Sequence, residues 1–392
     1  MSTLKVDGIR SNSATSDAIT LASDGTCTAN ITNNLSNRNL IINGAMQVAQ
    51  RGTTDSGSAT TAFYPTADRW RIVASNTDNA SFNFSMPSDT PTGQGFTRSW
   101  KVDVGTAETS LDSNELFYYT QILEGQDVQQ LAYGTSSAKS ITLSFWVKAY
   151  QAGTYTCSIY KADQTARGVK INYTINASAT WEFKTITFSG DTGGGGIDND
   201  NGAGLFVHWV LAAGSNYTSS NSMDSSWANY DGTSFAHGQT VNIMSSTDNY
   251  WQITGVQLEV GSHATDFEHR SYGQELALCQ RYYYRWTAGA AGRYVWMGQS
   301  YSTSTCFGII KTLPVTMRAA PTSTVSGTFT PYGDNGSVSG HDPFSNTNID
   351  QNNKDQIATG GWSGATGVDG GGRAVVVRAT EAAAYIDASA EL

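Results

Sequence analysis

The stretch ITLSFWVKA, from Ile141 to Ala149, alternates apolar and polar side chains over most of its length, as does WQITGVQLEV, from Trp251 to Val260. This alternation is typical of strands in antiparallel sheets that bury one face. About nine such runs between residues 39 and 270 predict one β-sandwich of the jelly-roll type. The remaining runs lie at Leu40–Ile42, Asp68–Val73, Ser81–Phe84, Phe117–Tyr119, Thr154–Tyr160, Trp181–Phe188 and Leu205–Leu211.

The composition agrees with an all-β fold. Of the 392 residues only 14% are charged, while aromatic residues reach 11% and glycines number 40. Disordered chains lack aromatic residues, so the composition indicates a folded protein with many turns. No fixed-period repeat is present, which argues against a β-helix or a propeller.

Charge and hydropathy exclude several classes of protein. The net charge of −10 and the absence of a basic run argue against nucleic-acid binding. No apolar stretch approaches the roughly 20 residues that span a bilayer, and the first residues lack the apolar segment of a secretory signal.

The widely spaced Cys27, Cys157, Cys279 and Cys306 predict free thiols, no zinc site and synthesis in a reducing cytoplasm.

Residues 1–38 are polar, with two short alternating pieces followed by Ser23-Asp24-Gly25, a hairpin signal. A segment so poor in apolar residues cannot bury its own core. We therefore expect an extended arm or stem that packs on sister chains or on another protein, with a frayed tail as the alternative.

The pattern changes after residue 270. In YGQELALCQRYYYRW, from Tyr272 to Trp286, Leu276, Cys279 and Tyr283 follow helical spacing, which predicts a short helical bridge over residues 271–286. Residues 287–392 return to short strands, at Tyr294–Met297, Thr305–Lys311 and Arg373–Arg378. The Gly-rich stretch from Gly333 to Gly372 predicts long loops. The chain thus divides into an arm (1–38), a jelly roll (39–270), a bridge (271–286) and a small C-terminal β domain (287–392).

Several motifs carry a family resemblance. NLIINGAMQVAQRGT (Asn39 to Thr53), ITLSFWVKA, LPVTMRAAPT (Leu313 to Thr322) and above all the stretch from Gln257 to Arg270 resemble tail fibre or virion appendage proteins of phages, common in phages of marine bacteria. The resemblance covers roughly residues 1–325. It implies a jelly roll like that of sugar-binding modules and a homotrimer in a virion, made in the cytoplasm of the host bacterium. Asp68-Arg69-Trp70 and Cys279–Tyr283 recur in this class, and we interpret them as scaffold that holds the sandwich to its bridge.

Catalytic and metal chemistry are weakly indicated. Glu259, Asp266 and Glu268 lie close in sequence, but an ion pair of Glu259 beside Arg270 and His269, or a turn cap, explains them better than a catalytic pair. No G-x-S-x-G or H-E-x-x-H motif exists, and the histidines (His208, His237, His263, His269 and His341) have no metal spacing, so no enzyme is expected. An oxygen-rich loop contains Asp191, Asp198 and Asp200. Either these carboxylates bind calcium or the loop is a plain turn. No other cofactor is expected.

Aromatic residues in polar loops are the more promising signal, because such rings are either pinned under the loop or offered to a ligand. Trp146, Trp181, Trp209 and Trp251 lie within strand patterns, which favours core positions. The loop candidates for ligand contact are Tyr217, Trp227 and Tyr230, with Phe235 nearby, and Tyr332, Phe344 and Trp362 near the C-terminus.

The sequence therefore predicts a non-enzymatic phage structural protein. The first hypothesis is a tail fibre whose tethered copies bind a host surface glycan or outer-membrane protein multivalently, anchored to another virion protein by the arm. A head-attached fibre or capsid decoration protein is the second. A glycan depolymerase is the third, and a sugar-binding module outside a virus remains. No membrane insertion is expected.

Overall fold

The computed structural model describes residues 6–13, 17–21, 23, 27–29, 37–57, 62–77, 79–307, 310–332, 342–349, 352–358, 361–366 and 371–392. Asp24, Gly25 and parts of the Gly333–Gly372 stretch, His341 among them, lie outside these residues, as do the side chains of Cys27 and Ile310. Strands account for 40% and helices for 7% of the structure, which confirms the all-β prediction.

The arm forms a small antiparallel sheet, in the order β1-β2-β3. Val6, Ile9 and Leu21 are exposed. The strands on either side of the predicted turn at Ser23-Asp24-Gly25 do pair with each other. The three strands are β1 (Gly8–Ile9), β2 (Ile19–Leu21) and β3 (Cys27–Ala29).

Two six-stranded antiparallel sheets form the jelly-roll sandwich. Sheet I has the order β14-β11-β10-β13-β8-β5 and sheet II the order β12-β9-β15-β7-β6-β4. The strands are β4 (Thr54–Gly57), β5 (Arg71–Ser75), β6 (Ser81–Ser85), β7 (Trp100–Thr106), β8 (Leu116–Glu124), β9 (Ile141–Ala149), β10 (Gly153–Lys161), β11 (Arg167–Ile175), β12 (Glu182–Phe188), β13 (Ala203–Ala213), β14 (Ala228–Asn229) and β15 (Tyr250–Val260).

One core fills the space between these sheets, because each strand points alternate side chains inward. Trp70, Trp100 and Tyr119 lie at its centre, with the rings of Trp70 and Tyr119 stacked 4.8 Å apart. Trp209 and Trp251 are fully buried, as the sequence predicts. Short 3-10 helices connect the strands at Gly125–Leu131, Ser215–Tyr217, Gly232–Ser234 and Ile243–Ser245.

The predicted strand at Leu40–Ile42 is wrong. Ile41 and Ile42 are buried, but their backbone N–H groups donate to side chains, to Asn39 Oδ1 at 3.0 Å and Gln121 Oε1 at 2.8 Å. Because side-chain amides satisfy these donors, the segment packs into the core without a partner strand.

The predicted bridge is a helix only in its first part, α1 (Tyr272–Gln280). Ser271 caps it: its hydroxyl accepts from Gln274 N, and Gln274 Oε1 accepts from Ser271 N in return. The helix ends before Tyr283 because that residue pairs with Ser389 in a sheet.

A second core lies between residues 288 and 390. Its sheets have the orders β16-β25-β20, β21-β24-β17-β18-β23 and β19-β22. The predicted strand at Thr305–Lys311 is divided in two. The strands are β16 (Tyr283–Thr287), β17 (Tyr294–Ser300), β18 (Thr305–Phe307), β19 (Ile310–Thr312), β20 (Thr322–Ser326), β21 (Phe329–Tyr332), β22 (Gln356–Ala358), β23 (Trp362–Ser363), β24 (Ala374–Ala379) and β25 (Tyr385–Ser389).

The scaffold interpretation of Asp68-Arg69-Trp70 and Cys279–Tyr283 is confirmed by the contacts between the two cores. The guanidinium of Arg69 lies 3.4 Å from the centre of the Tyr282 ring and 2.5 Å from Glu391 Oε2. Arg281 forms a two-pronged ion pair with buried Glu124, at 2.8 and 2.7 Å.

Cys157, Cys279 and Cys306 are free and buried, as predicted for thiols, and burial raises the pKa of all three. Among the helices that the structure describes, none is long and apolar enough to cross a membrane.

Candidate functional site

A groove of about 480 Å³ lies on the outer face of sheet II. We call it the sheet II groove. Strand β9 supplies its floor: Leu143, Phe145 and Val147 point into the core, so Ser144 and Trp146 point outward. The groove therefore follows directly from the two-residue period of the strand.

Two rings form the first wall of the groove. Phe183 on β12 lies opposite Trp146 in the strand register, and their ring centres are 5.3 Å apart. Phe183 is 47% exposed although it is a large apolar residue. The two rings are tilted 47° to each other and together provide an apolar wall.

The second wall comes from loops. Phe96 precedes β7, and Phe267 and His269 follow β15; the three ring centres lie 5.0 to 5.4 Å from one another. The Phe96 ring lies over Gly255, where β15 carries a bulge. A Cβ at Gly255 would come within 2.5 Å of the Phe96 ring. The bulge thus makes room for the second wall.

The polar lining of the sheet II groove consists of Gln94, Ser144, Thr265 and Asp266, with the imidazole of His269. Its lining includes no lysine or arginine. Among the described residues, the Asp266 carboxylate has no hydrogen-bond or ion-pair partner. The groove can therefore accept hydrogen bonds from a ligand while its two walls cover apolar faces.

A polar cluster extends the same face along β9. Lys148 Nζ donates to Asp89 Oδ2 at 2.6 Å, and Trp181 Nε1 donates to Asp89 Oδ1 at 3.1 Å. Partial burial acts against ionisation of Asp89, but these two hydrogen bonds outweigh it and lower its pKa. Trp181 is half-buried at the surface, so the core positions predicted for Trp146 and Trp181 are wrong.

The other two carboxylates of the predicted cluster have structural partners. Glu259 accepts from Thr265 N at 2.8 Å, Thr265 Oγ1 at 2.7 Å and Gln257 Nε2 at 2.9 Å. Its nearest cation is Arg38, at 3.9 Å, and not Arg270 as predicted. Glu268 accepts from Asn39 N at 2.8 Å. Of the three acids, Asp266 alone lines the groove.

The loop aromatic residues lie on the opposite sheet. Trp227 is pinned: its Nε1 donates to Ser189 O at 2.7 Å, and its ring packs on Tyr133. Tyr217 is half-buried, with its hydroxyl 3.3 Å from Asn114 O. Phe235 is buried, whereas Tyr230 is 42% exposed and borders a small cavity.

The C-terminal candidates are divided. Trp362 is fully buried and Phe344 is 6% exposed, so the prediction that these rings face a ligand is wrong. Their ring centres are 5.5 Å apart in the second core. Tyr332 is half-buried beside Tyr294 in a shallow depression of about 470 Å³.

The aspartates suggested for calcium do not form one site. Asp191 is fully buried between Lys161 Nζ at 3.2 Å and Arg167 Nε at 2.9 Å, so its charge is already balanced. Asp200 Oδ1 accepts from Gly202 N at 2.8 Å, as in a plain turn. Asp198 Oδ1 lies 3.3 Å from Gln164 Nε2. Within the described residues, no group of three or more His, Cys, Asp or Glu side chains could hold a metal ion.

Comparisons with solved structures find partial matches of low identity. No family model matches this sequence, and no curated protein matches it. The tailspike protein 4 enzymatically active domain of bacteriophage CBA120 is 14% identical over 57% of this chain, with a TM-score of 0.31, and the match covers only 21% of the tailspike chain. A putative sugar binding protein from Bacteroides thetaiotaomicron is 13% identical over 57% of this chain and 99% of its own, with a TM-score of 0.29. The family 11 carbohydrate-binding module from Clostridium thermocellum, solved with a mixed-linked tetrasaccharide, is 12% identical over 54% of this chain and 98% of its own, with a TM-score of 0.26.

Sequence reasoning missed the groove residues Phe96, Trp146, Phe183, Phe267 and His269. The sequence did contain a signal for Trp146. The apolar residues of this strand occupy every second position, at Ile141, Leu143, Phe145 and Val147, so the side chain of Trp146 must lie on the opposite face of the sheet. No such signal existed for the second wall, because loops bring its rings together from positions about 170 residues apart in sequence.

Proposed function

We propose that this protein is a non-enzymatic glycan-binding component of a phage particle, and that the sheet II groove holds the saccharide. The single observation that carries the proposal is the pairing of half-buried Trp146 with exposed Phe183 across from the ring of Phe96, in a groove with a polar floor. The C–H faces of a pyranose ring pack on such rings, while Ser144 and Asp266 can bond to its hydroxyls.

The charge of the groove narrows the class of sugar. Its lining has the carboxylate of Asp266 and no lysine or arginine to balance an acidic sugar. Asp266 is exposed, but its carboxylate would still repel an acidic sugar that no cation of the lining attracts, so neutral or amino sugars are the expected ligands.

The place in a virion is supported by the sequence motifs and by the arm. The short sheet β1-β2-β3 leaves Val6, Ile9 and Leu21 exposed, which suits an arm that packs on sister chains or on another virion protein. Tethered copies, as in a homotrimer, would raise the avidity of weak grooves for a repeating host glycan. We favour a tail fibre, with a head fibre or decoration protein as the alternative.

Absence of catalysis is part of the proposal. Most enzymes that hydrolyse glycans use two carboxyl groups that flank the scissile bond. Glu259 and Glu268 are held by backbone and side-chain donors, which leaves Asp266 alone at the groove. Incubation of the protein with bacterial polysaccharides should yield no shorter products, and their appearance would support a depolymerase.

An oligosaccharide-binding experiment tests whether the sheet II groove holds a saccharide. Neutral tetra- to hexasaccharides of glucose, mannose and galactose are screened on an array, and binding is then measured by calorimetry. Trp146→Ala and Phe183→Ala should each weaken binding about tenfold or more, since each removes one aromatic platform. Tyr272→Ala, which truncates a ring that is 56% exposed on α1, is the matched control and should bind normally.

Gold-labelled antibody on intact particles tests the location. Label at the tail tip supports the fibre, label over the head supports the decoration protein, and particles without label would contradict a virion role.

A further inference from the structure

A second cavity lies on the outer face of sheet I, behind the sandwich core from the sheet II groove. It is an open cavity of about 180 Å³. Six aromatic side chains line it, and we call it the aromatic box. They are Tyr118, Tyr160, Phe206, His208, Tyr230 and Phe235.

The strands fix the floor of the aromatic box. Tyr160 on β10 is the register partner of Phe206 on β13, and their ring centres lie 5.2 Å apart. Tyr118 on β8 lies 5.0 Å from the ring of His208. Strand register sets these positions, so the floor is formed before any ligand arrives.

The 214–240 segment supplies the rim. Tyr230 packs 4.6 Å from Tyr160, and Phe235 packs 5.3 Å from both Tyr118 and His208. The segment is fastened to the sheet, because Lys170 Nζ bonds to Asp224 at 2.7 Å and Tyr230 N donates to Ala166 O at 2.9 Å. The rim is therefore held in place.

Negative charge lies on one side of the aromatic box, near Tyr160 and Tyr230. No lysine or arginine lines it. Burial and then Asp163 raise the pKa of Tyr160, and Asp231 is among the charges that act on Tyr230. Hydrogen bonds from Thr233, Ser222 and Ser220 lower the pKa of Asp231 to about 2, so its carboxylate is ionised at neutral pH.

The other side of the aromatic box, around His208, carries no negative charge among its lining residues. His208 is 5% exposed, and burial followed by the charge of Arg71 lowers its pKa to about 3, so the imidazole is uncharged. Its Nδ1 has no hydrogen-bond partner among the described residues. A cation in the box would thus lie at the Tyr160–Tyr230 end, nearer the two carboxylates.

We propose that the aromatic box binds a quaternary ammonium group, such as the trimethylammonium head of choline, independently of the sheet II groove. Aromatic cages of this kind attract such cations through the negative faces of their rings. The small size and aromatic lining of the cavity suit the compact, apolar surface of such a head. The lining also offers few partners for a ring of hydroxyls: tyrosine hydroxyls and one imidazole nitrogen.

The test is calorimetric titration of the full chain with choline and with 3,3-dimethylbutan-1-ol, which has the same shape and no charge. We expect saturable binding of choline and binding of the neutral analogue at least about tenfold weaker. Tyr230→Ala should reduce choline binding about tenfold, and Tyr230→Phe should retain it, since the ring face is kept. Tyr230 is 42% exposed, so its truncation spares the core.

Equal binding of choline and the neutral analogue would overturn the proposal, as would unchanged binding in Tyr230→Ala or no saturable binding of choline. The variant Trp146→Ala distinguishes the aromatic box from the sheet II groove, because it should lose glycan binding and retain choline binding. Tyr272→Ala is again the control for folding.

Discussion

Gly255 decides whether the sheet II groove has a second wall. Its φ of +62° lies in the left-handed region, and a side chain there would meet the ring of Phe96. Sequence alone does not reveal this requirement, because GVQLEV after WQIT reads as an uninterrupted strand. The bulge becomes visible only through the register of β15 against β9, which shifts between Thr254 and Gln257.

Gly255→Ala should therefore lose glycan binding and about 1–3 kcal/mol of folding free energy, because a strained backbone and a displaced Phe96 act together. Urea unfolding and calorimetry measure the two effects. Gly273→Ala is the matched control, since no atom lies within 4 Å of the added Cβ in α1, and it should leave both unchanged or raise stability slightly. Normal binding by Gly255→Ala would contradict the account of the second wall.

Glu115 predicts a pH dependence of stability. Burial, followed by the neighbouring Glu108 and Asp112, raises its pKa from 4.5 to about 7. The folded state then holds a proton that the unfolded state has released between these two values, so the free energy of unfolding falls as pH rises from about 4.5 to about 7.

Glu115→Gln should flatten this slope, measured as the difference in melting temperature between pH 5 and pH 8 against the unchanged protein. Other buried acids with a raised pKa, such as Asp68 and Glu275, leave a residual slope in both. An identical slope in the variant would show that Glu115 does not titrate in this range.

At the scale of elements, alternation predicted the sandwich strands well, because each buries one face. Prediction from alternation failed where tertiary contacts replace the backbone hydrogen bonds between strands. Ile41 and Ile42 are apolar but their N–H groups donate to side chains, and Tyr283 ends the helix by pairing with Ser389. Strand β11, from Arg167 to Ile175, was missed although Val169, Ile171 and Tyr173 alternate with polar residues as in the other strands. Lys170 and Asn172 lie on its outer face, where both bond to the carbonyl of His237 on the segment above.

The C-terminal aromatic residues show the same limit. Polar, Gly-rich surroundings predicted that Trp362 is exposed, but its ring packs against Trp296, Phe329 and Phe344. In a small unit, a few large rings must supply most of the buried apolar area, even when their neighbours in sequence are polar.

Trp362→Ala should destabilise the C-terminal unit by about 3–5 kcal/mol, the usual result of deleting a buried tryptophan. Calorimetric unfolding checks it, and oligosaccharide binding at the sheet II groove should persist. Tyr301→Ala, which removes a ring that is 69% exposed, serves as the control with little expected effect. A stable Trp362→Ala protein would mean that the ring is not part of a core.

The whole molecule is held together by a buried contact between its two cores. Arg69 and Arg51 both bind Glu391, and Tyr64 donates to Leu392 O at 2.8 Å. Arg318 donates to Ala390 O at 2.8 Å and to Asn201 O at 2.7 Å. Through this seam the position of the C-terminal unit is fixed against the sandwich.

Arg69→Met should separate the unfolding of the two cores into two calorimetric transitions, because a buried Glu391 loses a partner at a cost of about 3–5 kcal/mol. The double variant Arg69→Met/Glu391→Met should recover part of that loss, since no charge remains unpaired there. Arg293→Met, at an exposed position, is the control. A single transition in Arg69→Met would contradict the coupling.

The most direct test of glycan binding in the sheet II groove is calorimetric titration of the unchanged protein and of Trp146→Ala with the neutral oligosaccharide that gives the strongest array signal. We expect saturable binding to the unchanged protein and binding to the variant that is weaker by about tenfold or more, with both proteins melting at similar temperatures. Equal binding by a folded Trp146→Ala protein would contradict it, because the ring on β9 would then take no part in holding the sugar.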